Sequence, residues 1–296
     1  MTKILHCVPN ISEGRDKSII NAAADAIRAV KGVKLLAVAP DADHNRTVYS
    51  FAGEPDSVLE AAKALALTAI EHIDMSVHHG IHPRIGAVDV TPFIPVKEVN
   101  NEEALDICRQ YGKWVGNMGI PVYYYEYAST KNDRTNLANI RKGEYEGLEN
   151  KLRDPDWTPD EGPAVFVPKS GAFMAGVRHA LIAFNVNLRC TDLTIAKRIA
   201  ESVRFINGGY RYVKAIGLPI NSTGMVQVSM NLIDYTKTPV HRVLETIRSE
   251  AARYGVEVAG TEVIGTMPAK AVEDIVKFYL QCHNFNSDQI LELNLD

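Results

Sequence analysis

The sequence predicts a mixed α/β (α+β) fold built from two consecutive halves that share one element order. Three observations predict it. Short apolar or alternating runs, the mark of strands, alternate along the chain with apolar stripes at helical spacing. Each half spells β-α-β-β-α-β. The length, 296 residues, is that of two domains at roughly 150 residues each. Hydrophobic residues make up 46% of the chain and charged residues 23%, close to globular averages, so a sizeable core can be buried without staples.

In the first half, Ile4 to Val8 is an apolar run read as a strand. Asp16 suits the N-cap of a helix whose stripe is Ile19, Ile20, Ala23, Ala24, Ile27 and Val30, with Gly32 at its C′ position. Val33 to Val38 and Thr47 to Phe51 read as strands around the turn at Pro40 to Asp43. Pro55 opens an Ala-rich helix to about Ile73, since proline fits the first helical position. Ala87 to Ile94 is a strand, Glu102 to Met118 a helix, and Val122 to Tyr127 a Tyr-rich strand.

The second half repeats the pattern. Leu181 to Leu188 is a strand, Asp192 to Ile206 a helix, and Arg211 to Leu218 and Met225 to Ile233 are strands. Pro239 to Tyr254 is a helix, Val256 to Ile264 a strand, and Pro268 to Gln281 a last helix. Between the halves, Ser129 to Gly176 reads as irregular, with prolines at 155, 159, 163 and 168. So long a loop is functional or disordered, and Trp157, Phe166, Val167 and Phe173 argue for order. It is expected to cross over the cleft between two sheets. The architecture is therefore two ferredoxin-like βαββαβ subdomains, residues 1–178 and 179–296, with sheets flanking a central cleft.

Composition excludes several classes. A net charge of −4 and the lack of an RNP1 pattern speak against nucleic acid, including RNA on an RRM-like sheet. Cys7, Cys108, Cys190 and Cys282 lie far apart with no CxxC pair, which argues against a disulfide framework or a zinc ribbon. The start, MTKILHCVPN, is too short in apolar residues for a signal peptide, and no apolar run is long enough to span a membrane. The expectation is a cytoplasmic protein with no membrane, nucleic-acid or metal partner.

Four polar constellations could carry chemistry. His78-His79-Gly80-Ile81-His82-Pro83-Arg84 cannot be helical across Gly80 and Pro83, so it is a loop feeding a strand. His82 beside Arg84 would stay neutral near pH 7, because a positive neighbour lowers its pKa, and so could act as a base; a surface histidine cluster is one alternative, and a metal site another, disfavoured because His78 and His82 cannot share a regular helical face across Gly80. Asp41, Asp43, His44, Asn45 and Arg46 form a loop denser in charge than a turn requires, although Asp and Asn also cap turns. Pro9 to Arg15, with Asn10, precedes a helix N-terminus, where anions bind, or is an ordinary βα loop. Gly162-Pro163-Ala164-Val165-Phe166-Val167-Pro168-Lys169-Ser170-Gly171-Ala172 suits either a wall for a flat ring system or a buried linker.

These segments, in this order, resemble the glutamate formiminotransferase (glutamate formimidoyltransferase) family. The resemblance rests on CVPNISEGRD (7–16), DADHNRTVYSFAG (41–53), HPRIGAVDVTPFIPV (82–96), IRKGEYEGL (140–148), GPAVFVPKSGA (162–172), LIAFNVNL (181–188) and QVSMNL (227–232). The chain departs from the family pattern at Ala37 and Ala39, near His78 and His79, and at Ile81, while His82-Pro83-Arg84 is intact.

The resemblance implies transfer of the formimino group from N-formimino-L-glutamate to N5 of tetrahydrofolate, late in histidine breakdown. It implies tetrahydrofolate as co-substrate, a homodimer, and a chain without the cyclodeaminase fused in some members. His82 falls on the catalytic histidine, and Gly162 to Ala172 on the folate-binding stretch. The donor's two carboxylates call for at least one bidentate arginine. Arg84 and Arg46 are the candidates, with Asn10, Asp41 and His44 as further substrate contacts. Arg46, Arg84 and Lys169 would make the site locally positive. Formyl transfer between N-formylglutamate and 5-formyltetrahydrofolate, and a non-catalytic folate-binding module, remain the alternatives.

Overall fold

The computed structural model describes residues 3–80, 82–220 and 223–294; the departure at Ile81 lies outside them. The chain divides into two compact units that meet at Arg178 and His179. Unit 1 contains β1 (Ile4–Cys7), β2 (Asn10–Ile11), α1 (Lys17–Arg28), β3 (Val33–Asp41), β4 (Arg46–Gly53), α2 (Pro55–His72), β5 (Val88–Lys97), α3 (Asn101–Asn117), β6 (Val122–Glu126), α4 (Leu137–Arg141), α5 (Leu148–Arg153) and β7 (Phe173–Val177). Unit 2 contains β8 (Ile182–Leu188), α6 (Leu193–Val203), β9 (Val213–Pro219), β10 (Val226–Leu232), α7 (Val240–Ala252), β11 (Val258–Ile264) and α8 (Ala269–Leu280).

Both units carry β-α-β-β-α-β in one strand order. In unit 2 the antiparallel sheet runs β11-β8-β10-β9, which is fourth, first, third, second. In unit 1 the same order runs β5, then β1 with β2, then β4, then β3. There β7 and β6 extend the sheet beyond β5, all three parallel. Aspartates start one helix in each unit: the Asp16 carboxylate accepts Ser18 N–H at α1, and Asp192 accepts Thr194 N–H at α6. Each stripe packs on its own sheet, as Ile20, Ala23 and Ile27 do on Leu5, Tyr49 and Phe51, and Ile199 and Val203 do on Val186 and Val228.

Three expectations are corrected. Residues 173–177 are not irregular but form β7, fully buried between β5 and β6. Gly176 and the prolines before the run disguised it; a strand buried on both faces has no alternation to read. Helix α1 ends at Arg28, and Gly32 (φ 81°) lies in the turn before β3. The long connection does not leave unit 1's sheet: Ile140, Leu148, Leu152, Trp157 and Phe166 pack on Val90, Tyr123, Tyr125 and Met174. Their strand neighbours Val122, Tyr124, Phe173 and Ala175 belong to the helix-side core, so the connection covers the sheet's opposite face.

One buried cation anchors this cover. Arg134 is 0% exposed, bonds Asp160 at 3.1 Å and the carbonyls of Asp156 and Thr158 at 2.9 and 2.8 Å, and lies over the Tyr123 and Trp157 rings. Among the described residues no helix is long and apolar enough to cross a membrane.

Candidate active site

Three loops of unit 1 are tied together by one side chain. Asn45, 7% exposed and left-handed at φ 48°, accepts Gly14 N–H at 3.0 Å and donates to His79 O at 2.8 Å. Its own carbonyl accepts from His78 Nε2 at 3.0 Å. Asparagine tolerates this backbone because its short amide bonds locally. Close approach makes two glycines necessary: a Cβ on Gly14 would strike Asp41 O, and one on Gly80 would strike His44 O. The Pro9–Arg15 loop, the β3–β4 turn and the His78–Arg84 loop are thereby held in one cluster.

His82 lies half-buried in that cluster. Its Nε2 stands 3.4 Å from Asn10 Nδ2, so the imidazole nitrogen accepts a long N–H bond and the ring is neutral. Asn10 is fixed in β2, between Val48 of β4 and Val90 of β5. Burial, then the charges of Arg141, Arg46, His44 and Arg84, push the His82 pKa down to about 3. The cause differs from the sequence expectation: desolvation dominates and Arg84 contributes least of the four. Asn10 itself is 4% exposed, and its Oδ1 is buried without a hydrogen-bond partner.

The expectation that Arg84 offers a free fork to a substrate carboxylate is corrected. All five of its N–H donors are engaged: Nε with His78 Nδ1, Nη1 with Glu144 and Glu146, Nη2 with Glu146 and His78 O. The Glu146 pair is bidentate, with bonds of 2.9 and 2.7 Å, and raises the Arg84 pKa. His78 donates an N–H bond to Asn45 O and accepts one from Arg84 Nε, an arrangement open only to the neutral ring; its burial lowers its pKa. A pocket of about 430 Å³ beside this network is lined by His79, Gly80, Arg84, Gly143, Glu144 and Glu146.

Lys169 is tethered, its Nζ capping the end of α2 through Glu71 O at 2.8 Å. Asp41 serves its own turn. One oxygen accepts the N–H groups of Asp43 and His44, and the other bonds His44 Nδ1 at 2.8 Å; those bonds, the His44 backbone N–H first, hold its pKa low. It orients His44 and has no oxygen left unengaged.

Arg46 is placed differently from Arg84. It opens β4, is half-buried, and among the described residues its guanidinium has no hydrogen-bond or ion-pair partner.

Of the ring-wall segment, residues 162–165 are exposed, Phe166 and Val167 half-buried, and Ser170 to Ala172 buried. Its end is laced to the strand entrance after His82: Ala87 N–H donates to Ser170 O at 2.9 Å, and Ala172 N–H to Ile85 O at 3.0 Å. The structure thus gathers Asn10, Asp41, His44, Arg46, His82, Arg84 and Ser170–Ala172 around one sheet end.

Sequence reasoning missed Arg141 and Asp89. They form an ion pair through Nη2 and Oδ2, and Asp89 is 1% exposed. A readable signal existed, because a charge inside the apolar run AVDVTPFIPV demands a partner when buried. In unit 2, the blocks 181–188 and 227–232 fall on neighbouring strands, pairing Gln227 with Asn187 and Ser229 with Asn185. Asn187 Oδ1 and Gln227 Oε1 are buried without hydrogen-bond partners.

Fold and site together define a class: an α/β protein whose site holds a neutral histidine among guanidinium groups. Comparison narrows the class to a family. Residues 4–178 match the N-terminal subdomain of the formiminotransferase domain, and residues 183–293 match the formiminotransferase domain. Glutamate formimidoyltransferase of Streptococcus pyogenes serotype M1 is 44% identical, covering 100% of this chain and 99% of the relative. That of Thermoplasma acidophilum is 43% identical, covering 99% and 97%. The formimidoyltransferase-cyclodeaminase of Dictyostelium discoideum is 43% identical over 100% of this chain but only 56% of its own length. The chain belongs to the formiminotransferase family.

Proposed function

We propose that this chain is a glutamate formimidoyltransferase, moving the formimino group of N-formimino-L-glutamate to N5 of tetrahydrofolate. End-to-end likeness to relatives of that name supports the reaction. The observation that carries the chemistry is His82, neutral, its Nε2 lone pair met by a long 3.4 Å bond from Asn10 Nδ2 that a substrate N–H can replace.

N5 attacks the amidine carbon and a tetrahedral intermediate forms. His82 takes the N5 proton and passes it to the departing nitrogen as the carbon–nitrogen bond to glutamate breaks. The products are 5-formiminotetrahydrofolate and glutamate, so one imidazole serves as base and then acid. The buried Asn10 Oδ1 is suited to accept an amidine N–H, which would satisfy it. Tetrahydrofolate is read as co-substrate against residues 162–172. Its ring would meet Pro163 to Val167 while Ser170 to Ala172 anchor the segment beside His82. Holding both substrates in place supplies a further large share of the rate. The reading includes a cytoplasmic homodimer, for which light scattering should give twice 32.6 kDa, and the two units as separate subdomains.

The test is turnover of N-formiminoglutamate with tetrahydrofolate, followed by folate absorbance. N-formylglutamate should be the poorer donor. Binding of both substrates without product would sink the reading and leave a folate-binding module.

A further inference from the structure

The reaction read above sets a geometric demand. The α-carboxylate of the donor sits on the carbon that bears the departing nitrogen. A histidine that protonates this nitrogen therefore has that carboxylate within a few bond lengths. A cation must meet it there, and that cation needs N–H donors to spare.

Arg84 fails this demand, because its five donors are spent on Glu144, Glu146 and His78. Arg141 meets it. The residue closes α4, its side chain is 18% exposed, and a single nitrogen, Nη2, holds it to Asp89. Its Nε is buried with no acceptor among the described residues. Arg84 with Glu146 shows what a structural pair looks like in this same unit, two parallel bonds to one carboxylate. Arg141 is held by one end and unsatisfied at another. Asp89 spends its second oxygen on Ile85 N–H at 3.1 Å, which fixes the carboxylate and so the guanidinium. Arg46 stands near, half-buried and unbonded among the described residues.

We propose that Arg141, steadied by Asp89, and Arg46 together recognise the α-carboxylate of the donor beside His82. This rests on the formimino-transfer reading and adds the residue that makes the site prefer α-amino-acid donors. An electrostatic consequence follows. The charged groups facing His82 are Arg141 with Asp89, Arg46, Arg84 with its glutamates, and His44 with Asp41. An arriving carboxylate offsets the two guanidinium charges that most lower the proton affinity of His82. The imidazole becomes a better base when the donor is seated.

The experiment compares three donors on wild type, Arg141→Gln, Arg141→Lys and the double variant Asp89→Asn/Arg141→Gln, which leaves no unpaired buried charge. The donors are N-formiminoglutamate, 4-(formiminoamino)butanoate, which lacks the α-carboxylate, and 2-(formiminoamino)butanoate, which lacks the distal one. Arg141→Gln and the double variant should lose about 10²-fold in kcat/KM on the two donors that keep the α-carboxylate, the scale of removing one partner of a desolvated charge pair. On 4-(formiminoamino)butanoate they should show no comparable loss. Arg141→Lys should recover part of the loss. In wild type the acid limb of kcat should lie at higher pH than that of kcat/KM, and the gap should narrow in the double variant. Equal losses on all three donors, or none, would overturn the proposal and leave Arg141 as the structural partner of Asp89. A wild type with no activity on N-formiminoglutamate would instead remove the underlying reading, and the proposal with it.

Discussion

The two units start from one plan and end differently. Both use β-α-β-β-α-β with one strand order, and both put amphipathic helices on a single face. In unit 2 the opposite face keeps polar residues such as Asn185, Asn187, Gln227 and Ser229. In unit 1 that face is covered by residues 137–166, and two parallel strands are added. Of the fourteen buried polar or charged residues among those described, ten lie in unit 1 and four in unit 2. The difference teaches where a site is affordable: the cover supplies Arg141 to pair with the sheet's buried Asp89, and it pairs its own buried Arg134 with Asp160. Buried charge in unit 1 is thus balanced by donors from an irregular segment, not by the sheet itself.

The comparison breaks most sharply at His82. His82→Ala should lower turnover by roughly 10²–10⁴-fold, the range for a general acid/base, with folate binding retained; near wild-type turnover would exclude the role. The next largest effect is in the cover. Asp160, with a side chain 6% exposed, bonds Arg134 and Tyr124 N–H. Asp160→Ala should cost about 3–5 kcal/mol, as breaking a buried pair does. Both tryptophans, Trp114 and Trp157, lie in unit 1, so tryptophan fluorescence during urea unfolding reports on that unit. An unchanged midpoint would mean that the cover contributes nothing to the unit's stability.

Acid should also separate the units. In unit 1, burial pushes His6 down to about 4 and His82 down to about 3, and it lowers His78. In unit 2 it lowers His241. An unfolded histidine titrates near 6.5, so below that pH the unfolded chain takes up protons that the folded chain refuses. The stability these groups contribute is present above about pH 6.5 and is lost as pH falls toward 4. The tryptophan-detected midpoint should fall from pH 7 to pH 5 more steeply than a circular-dichroism transition assigned to unit 2; a flat or rising midpoint contradicts it. The smallest effect belongs to unit 2. Asp192→Ala removes the cap on Thr194 N–H and should slightly destabilise α6 while leaving turnover and the tryptophan signal unchanged.

Salt sharpens the site comparison further. Arg46 and Arg141 sit near His82 and Asp89, whereas Arg84 is spent on Glu144, Glu146 and His78 and Lys169 is tethered to the end of α2. Raising salt should increase KM for the anionic donor in wild type, because screening shortens to well under about 10 Å. Removing Lys169's charge should leave that dependence intact.

Much of this was determined by sequence alone. Apolar periodicity set the order of strands and helices, because burial of one face forces a period on the chain. Asp16 announced its helix through cap chemistry that is local by nature. His82 stood out for the same reason, since Gly80 and Pro83 forbid a helix around it. What sequence could not decide was which charges were already taken. Arg84 and Arg141 look alike in a string of letters, yet one is saturated by Glu144, Glu146 and His78 and the other is held to Asp89 by one nitrogen. The three carboxylates lie 52, 60 and 62 residues away, and a guanidinium's capacity to bind depends on contacts only a few ångströms long. Only the folded chain brings such groups within that range, so only tertiary structure could separate a structural arginine from one available to a substrate.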